Sequence, residues 1–327
     1  MKNKIKYIAS LILAAVLVWL AFRTVEWDGF FNGLKETRWS YVFLFFIASV
    51  LALVFRQERW KMIIMPHNPE IRRADAWDST NVGNIVNIVL PGAGEFVRCG
   101  YISSGKLKYD KALGTIVCER AFDVLAILLM LALAFVLNWE RFGLFFIENI
   151  WHPLSGKINF SLWWLVIALL VLIAGSIWAI YHFRRSNRFC EKIASAVNGI
   201  IGGISGIAQI KHKWLFILHT VGIWLMYVLM SYFMFKAVPA LAHLNLADAM
   251  FVSAIGNIAS IIPVPGGIGA YHYLAALCLQ SIYGTPWDTG ILYATLNHEL
   301  HAVLVVILGA ISYFTITLRR KKSQENR

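Results

Sequence analysis

The sequence predicts an all-α polytopic membrane protein, built as an inverted repeat of two halves that each hold three spanning helices and one re-entrant broken-helix hairpin. Three observations predict it. Apolar residues make up 59% of the 327 residues and charged residues only 15%, against about 25% in soluble proteins. Six apolar runs are long enough to cross about 30 Å of hydrocarbon as helices. Two further apolar regions are each interrupted near the middle by proline and glycine.

The composition also excludes several classes of protein. A mean hydropathy of +0.64 rules out a soluble enzyme, a disordered chain and a disulfide-rich secreted module. The formal net charge is +12, but there is no basic–aromatic pattern of the kind that binds RNA, so we expect no nucleic-acid partner. The four cysteines share no CxxC spacing. We therefore expect no metal, no redox site and no cofactor.

The six uninterrupted runs are taken as the spanning helices. In chain order they are 5–22, 39–56, 113–137, 161–183, 213–237 and 289–317. If each interrupted region enters and leaves the membrane on one side, most of the 30 lysines and arginines fall on the side of the N-terminus. Positive charge marks cytoplasmic loops, so we expect both termini in the cytoplasm. No A-x-A-like cleavage site follows the first run, which we expect to be retained as a span.

The two interrupted regions, 79–104 and 247–283, resemble each other. Each carries the tripeptide Gly-Asn-Ile, then an apolar stretch, then a Pro-Gly turn; the turn residues are Pro91, Gly92 and Gly94 in the first region and Pro263, Pro265, Gly266, Gly267 and Gly269 in the second. Proline lacks an N–H and glycine permits positive φ, so together they allow the chain to reverse at membrane depth. The alternative is that both regions are kinks in ordinary helices.

Together these elements predict one transmembrane domain over 1–327. The parts are a first repeat, 1–137, with its hairpin at 79–104; an outer loop, 138–160; a second repeat, 161–317, with its hairpin at 247–283; and a cytoplasmic basic tail, 318–327. An odd number of spans in each half inverts the second half, a plan common in transporters. Backbone opened at this depth cannot face lipid, so we expect the two hairpin tips to meet near the midplane beside a wet cavity.

Ionisable side chains cluster after the first turn and in the third span. Glu95 and Arg98 are spaced i, i+3 on the half-helix after the turn, while Glu119, Arg120 and Asp123 lie in the span that follows. If Arg98 and Arg120 face a cavity, a phosphate is their natural ligand, because guanidinium binds oxyanions in a bidentate way. The alternatives are a structural ion-pair network that pins the hairpin to the span, or snorkelling to the surface.

In the second half, polar candidates follow the second turn and recur in the last span; they are His272, Asn297, His298, Glu299 and His301. The sequence His-Glu-Leu-His lacks the i, i+4 spacing of the zinc motif HExxH, so we expect no metal there. A role in proton transfer or phosphate contact and a role in interhelical hydrogen bonds both stay open.

Two further groups of residues complete the candidates. We expect Asn84, Asn87 and Asn257 to cap half-helices or bridge the hairpins, and we count them with the charged candidates as substrate-binding. Arg56, Glu58 and Arg59 end the second span, and we expect them to anchor it at headgroup level.

The first hairpin reads N-x-x-N-x-x-x-PGxGE-x-x-R (84–98), ER-x-x-D follows at 119–123, and the second hairpin carries P-x-PGGIG (263–269). These motifs resemble the lysylphosphatidylglycerol synthase transmembrane-region family over about 5–317. The resemblance implies the flippase-like part of the multiple peptide resistance factor, which is thought to move aminoacylated phosphatidylglycerol between leaflets. His272 stands where the family usually has a glutamate, and what that exchange does is left open. The family's soluble aminoacyl-transferase half has no counterpart in this sequence, so synthesis of lysyl-lipid is not implied.

These observations predict a flippase-like transporter, not an enzyme, that moves an anionic or aminoacylated phospholipid, or another lipid phosphate, between leaflets of the bacterial cytoplasmic membrane. No ATP-binding motif is present, so movement would be an equilibration or be driven by an ion gradient. The expected partners are the phospholipid substrate, the bilayer, and either a second copy of the chain or a separate lipid-modifying enzyme. The alternatives are a transporter of a small water-soluble anion, a membrane enzyme acting on lipid phosphates, and a structural protein without transport.

Overall fold

The computed structural model describes residues 2–104, 107–139, 210–259, 262 and 264–325, with short pieces between 171 and 191. The regular elements in these ranges are all helical, which confirms the all-α class. The first six are α1 (Lys2–Phe22), α2 (Trp27–Glu36), α3 (Trp39–Ile64), α4 (Arg73–Val89), α5 (Ala93–Ile102) and α6 (Tyr109–Leu137). The later four are α7 (Lys213–Ala237), α8 (Leu246–Ala259), α9 (Ala270–Tyr283) and α10 (Trp287–Glu325).

Four of the predicted spans are confirmed as helices long and apolar enough to cross a membrane. They are Trp39–Ile64, Tyr109–Leu137, Lys213–Ala237 and Trp287–Arg319. The predicted span 5–22 lies on α1, whose apolar part is Leu11–Phe22. Most of the predicted span 161–183 and of the outer loop 138–160 lies outside the described residues.

Two helices continue beyond the predicted ends of their spans. The second span was expected to end at residue 56, but α3 continues to Ile64, because buried partners hold the charged side chains that suggested an end. The predicted tail, 318–327, begins as a continuation of α10, which is helical through Glu325.

The first interrupted region is a hairpin. Helix α4 ends at Val89, Gly92 adopts a φ of 76°, and α5 begins at the next residue. A Cβ built on Gly83 would lie 2.8 Å from the carbonyl oxygen of Gly94, although these residues are eleven positions apart in the chain. In a continuous helix such residues are about 16 Å apart. The region therefore folds back on itself, and the alternative of a kinked helix is wrong.

The second interrupted region also folds back. Its turn contains Gly266, Gly267 and Gly269 with φ of 59°, 77° and 80°, values that favour glycine. A Cβ built on Gly256 of α8 would lie 2.5 Å from the ring of Tyr271, at the start of α9. The legs therefore pack closely against each other. Pro263 lies outside the described residues.

The first half of α10 carries the second hairpin. Gly290 lies against the backbone of Ala276, in the middle of α9. Two turns further along α10, His298 Nε2 donates a hydrogen bond to the carbonyl oxygen of Gly266, at the hairpin tip (2.8 Å). The hairpin therefore runs along α10 from the start of that helix toward its middle.

The second half of α10 carries the first hairpin. Gly309 lies against Ile85, and Arg319 Nη2 pairs with Asp78 Oδ2, close to the start of α4 (2.9 Å). The tip of the first hairpin contacts the tip of the second hairpin where Ile88 lies beside Gly266. The two hairpins thus approach each other from opposite ends of α10, with their tips in contact. The symmetry that would relate the two halves as an inverted repeat stays a prediction.

The close contact within the first hairpin gives a test of the fold. We expect Gly94→Ala to lower the free energy of unfolding by about 1–3 kcal/mol, because the new methyl group would overlap the carbonyl oxygen of Gly83 and the side chain of Asn87. Unfolding of the purified protein in mixed micelles measures the change. Gly100→Ala, on the same helix with open space around it, is the matched control and should be neutral or stabilising by about 1 kcal/mol. Equal effects in the two variants would contradict the packed hairpin.

Candidate substrate site

Three helices bring together seven charged side chains that form one network, which we name the arginine–carboxylate cluster. Its members are Arg56 and Arg59 of α3, Glu95 and Arg98 of α5, and Glu119, Arg120 and Asp123 of α6. The cluster therefore ties the returning leg of the first hairpin to two spanning helices. Three of its members are buried and three more are partly buried, so their charges must be compensated largely within the protein.

Glu119 is the centre of the cluster. Its side chain is fully buried, and Oε2 accepts a hydrogen bond from Arg98 Nη2 (2.7 Å). The other oxygen, Oε1, accepts from Arg56 Nε (3.1 Å) and lies 3.7 Å from Arg59 Nη2. A carboxylate removed from water is stable only when well-placed partners replace its hydration. Glu119 obtains them from two helices at once.

Glu95 and Asp123 connect this centre to the exposed edge of the cluster. Glu95 Oε2 pairs with Arg98 Nη2 (2.6 Å), and its other oxygen pairs with Arg120 Nη2. Asp123 bridges Arg59 Nη2 (2.6 Å) and Arg120 Nη1 (3.3 Å). The two pairs predicted from i, i+3 spacing, Glu95–Arg98 and Arg120–Asp123, are therefore present.

Arg98 and Arg120 differ in their surroundings. The side chain of Arg98 is 3% exposed and lies over the ring of Trp60, with its Cζ 4.6 Å from the ring centroid. The side chain of Arg120 is 44% exposed. The sequence suggested two equivalent cations, but in the structure Arg98 is a buried member of the cluster, and Arg120 is accessible to a ligand.

Arg56 and Arg59 were missed as members of the site. Both were expected at the headgroups, but the side chain of Arg59 is 0% exposed and that of Arg56 is 17% exposed. They lie inside because α3 continues past them and faces α6. One feature of the sequence could have indicated this. The two arginines are spaced i, i+3 directly after an apolar run, which places both guanidinium groups on one side of a continuing helix.

The asparagines act within each hairpin. Asn87 Oδ1 accepts a hydrogen bond from the Gly94 backbone N–H (2.8 Å), which satisfies one of the free donors at the start of α5. Asn84 lies one turn before Asn87 on α4 and is partly buried. Asn257 Nδ2 donates to the carbonyl oxygen of Ser253 in its own helix (2.8 Å). The predicted capping is thus present at Asn87.

The second half contributes a histidine cluster, formed by His272, His298 and Glu299. His298 Nδ1 lies 3.0 Å from Glu299 Oε1, and His272 Nε2 lies 3.6 Å from the same oxygen. Asn297 Nδ2 points away from it and donates to the Tyr293 hydroxyl (2.9 Å). Of the predicted polar residues, His272, His298 and Glu299 therefore meet at the second hairpin tip, and Asn297 does not join them.

Helix α3 links the arginine–carboxylate cluster to His301, which lies outside the histidine cluster. Ser49 and Arg56 lie seven residues apart, and so on one face of α3 about 10 Å apart. Ser49 Oγ and His301 Nδ1 share a hydrogen bond (2.6 Å), while Arg56 bonds to Glu119. Candidate residues from both halves of the chain therefore lie along one side of α3.

Comparison with known proteins gives one match. The sequence model of the family described as "Lysylphosphatidylglycerol synthase TM region" matches residues 7–309, which include both hairpins and both clusters. No curated protein matches the chain. No solved structure matches it.

The central position of Glu119 predicts a large loss of stability when its charge is removed. We expect Glu119→Gln to lower the free energy of unfolding in mixed micelles by about 3–5 kcal/mol, because buried arginines lose their counter-charge. Glu58→Gln is the matched control: Glu58 pairs with the exposed Arg73 (3.0 Å), so its loss should cost less than about 1 kcal/mol.

A second substitution separates charge from packing. We expect Arg98→Gln to restore part of the stability lost in Glu119→Gln, because it removes one of the uncompensated charges. If the stability loss of the double variant equals the sum of the losses of the two single variants, the shared ion network is contradicted.

Proposed function

Because the chain belongs to the lysylphosphatidylglycerol synthase transmembrane-region family, we propose that it is a flippase-like transporter of lipids. Its substrate is an anionic or aminoacylated phospholipid, or another lipid phosphate, which it moves between the leaflets of the bacterial cytoplasmic membrane. The observation that carries the proposal is the half-exposed guanidinium of Arg120, at the edge of a buried ion network inside a spanning helix.

The depth of Arg120 supports a polar cavity beside it. Arg120 lies eleven residues from the start of α6, about 16 Å along the helix axis. An arginine facing hydrocarbon at such a depth costs on the order of 2.5–3.5 kcal/mol by insertion scales. Glu299 of α10 is likewise 43% exposed, about 18 Å into its helix. Two ionic side chains exposed at depth favour a water-filled or headgroup-filled cavity over lipid contact.

The charge balance of the cluster favours an anionic ligand. Four guanidinium groups face three carboxylates, so one positive charge is in excess among the seven groups. A phosphodiester carries one negative charge and accepts two parallel hydrogen bonds from a guanidinium. A single lipid phosphate at Arg120 would neutralise the cluster.

The remaining contacts suggest how binding and release occur. Glu95 and Asp123 hold Arg120 when no ligand is bound, and a phosphate would take their place. Glu119 would keep Arg98 and Arg56 in position while the phosphate replaces the two carboxylates at Arg120. Broken helices that meet tip to tip are the elements that rock or gate in alternating-access transporters. Movement of the tips would then open the site to each leaflet in turn.

An aminoacylated phospholipid would need a second contact. Its ammonium group adds a positive charge, which the cluster alone does not favour. Glu95, with 19% of its side chain exposed, and Glu299 are the carboxylates placed to receive it. We therefore expect an unmodified anionic phospholipid to move at least as fast as its aminoacylated form.

The cellular setting is part of the proposal. The excess of lysine and arginine on the side of the N-terminus supports cytoplasmic termini. The phospholipid itself is the proposed partner, and a second copy of the chain or a separate lipid-modifying enzyme would be a further one.

Leaflet exchange in liposomes tests the proposed function. We expect the purified protein to speed the exchange of a fluorescent phosphatidylglycerol analogue, followed as the fraction that an outer-leaflet quencher destroys. Arg120→Gln should slow the exchange about tenfold or more, because a charge-assisted hydrogen bond is worth about 1.5–3 kcal/mol. Arg120→Lys should retain part of the activity.

Arg72→Gln is the matched control, because Arg72 pairs only with a surface carboxylate, Asp75 (2.8 Å), as far as the described residues show. It should exchange lipid at the wild-type rate. Failure to speed exchange of any anionic, aminoacylated or isoprenoid-phosphate lipid would contradict the proposal. Release of trapped inorganic phosphate without lipid exchange would favour a transporter of small anions.

A further inference from the structure

The histidine cluster lies outside the arginine–carboxylate cluster, and the proposed binding of the lipid phosphate at Arg120 does not use it. One ligand atom from each of His272, His298 and Glu299 lies within 4.8 Å of the other two. The three residues come from two elements, α9 of the second hairpin and α10. We propose that these residues form a binding site for a divalent transition-metal ion of the zinc class.

The donor set fits such an ion. Zinc binds imidazole nitrogen and carboxylate oxygen at about 2.0–2.2 Å in tetrahedral sites, which places neighbouring donors about 3.3–3.5 Å apart. Glu299 Oε1 lies 3.0 Å from His298 Nδ1 and 3.6 Å from His272 Nε2. Two nitrogens and one oxygen leave the fourth position open, and the 43% exposure of Glu299 gives that position access to water. Hard ions such as Mg²⁺ prefer oxygen donors alone.

The tautomer of His298 also supports a metal ion at this site. Its Nε2 donates to the carbonyl oxygen of Gly266 (2.8 Å), which leaves Nδ1 of the neutral ring with a lone pair. That lone pair faces a carboxylate oxygen at 3.0 Å. A cation between the two acceptors removes their repulsion. Donation of the distal ring N–H to a backbone carbonyl is also how metal-binding histidines are usually oriented.

His272 is the second line of evidence. Its side chain is 3% exposed, so the imidazole is held inside the protein beside the carboxylate of Glu299. Its Nε2, at 3.6 Å from Glu299 Oε1, is too far for a hydrogen bond but close enough to share an ion. The rings of Phe22 and Tyr271 lie against the two imidazoles, with centroids 5.5 Å from His272 and 5.2 Å from His298, and fix them in place.

The site could not be predicted from spacing along one helix. His301 does not join it, because its Nδ1 bonds to Ser49. The second imidazole comes instead from His272, in the first turn of α9, directly after the hairpin turn. A bound ion would therefore tie the second hairpin to α10, and its release would free the hairpin tip.

Metal titration tests the site independently of transport. Tag-free, chelator-treated protein in detergent should bind about one Zn²⁺ per chain with saturable heat, and should not bind Mg²⁺ there. Co²⁺ in place of Zn²⁺ should give the visible absorption of a tetrahedral ion. His272→Ala and Glu299→Gln should each weaken Zn²⁺ binding about tenfold or more. His301→Ala, one turn along α10, is the matched control and should bind like the wild type.

Each outcome decides the proposal. Absence of saturable Zn²⁺ binding by the wild-type protein would overturn it, and would leave a hydrogen-bonded histidine pair. Equal affinity in Glu299→Gln and the wild type would also overturn it, as would an equal loss in His301→Ala. Glu299→Gln keeps the side-chain shape, so it remains decisive if His272→Ala does not fold.

Discussion

The buried carboxylate of Glu119 is the constraint around which the site is organised. A spanning helix that carries a charge at this depth must bring its counter-charges with it, and Glu119 receives guanidinium groups from α3 and α5. This requirement explains why α3 runs to Ile64 and why the second leg of the first hairpin returns beside α6. It also explains why Arg120, at the edge of the same network, can stay half exposed and available to an anion.

Open backbone at membrane depth imposes the second constraint. The two hairpins satisfy it with local partners and with each other: Asn87 caps the start of α5, His298 holds the carbonyl of Gly266, and the two tips touch beside Ile88. Helix α10 contacts both hairpins from opposite ends and the two tips touch, so the hairpins and α10 pack as one unit. Candidate polar residues of both halves therefore lie along one side of α3 and around the hairpin tips.

The predictable parts of the fold were those encoded by local chemistry. Proline and glycine interruptions predicted both hairpins, and i, i+3 spacing predicted the Glu95–Arg98 and Arg120–Asp123 pairs. Arg59 was missed because its burial depends on the carboxylates of α6 that pack against it. In sequence, an arginine that ends a span cannot be distinguished from an arginine that is buried by another helix. The meeting of His272 with Glu299 was unpredictable for a similar reason, since it depends on how a hairpin leg packs against α10.

Solvent access at position 120 tests the central claim most directly, namely that the arginine–carboxylate cluster borders a polar cavity. A single Arg120→Cys would be placed in a chain whose four native cysteines are replaced, with Leu129→Cys, on the same helix and 71% exposed, as the lipid-facing reference. Thiols react as thiolates, which form in water and not in hydrocarbon. The account predicts that a charged, membrane-impermeant maleimide labels position 120 in intact membranes and spares position 129. Labelling of neither position, in protein that remains folded, would contradict it.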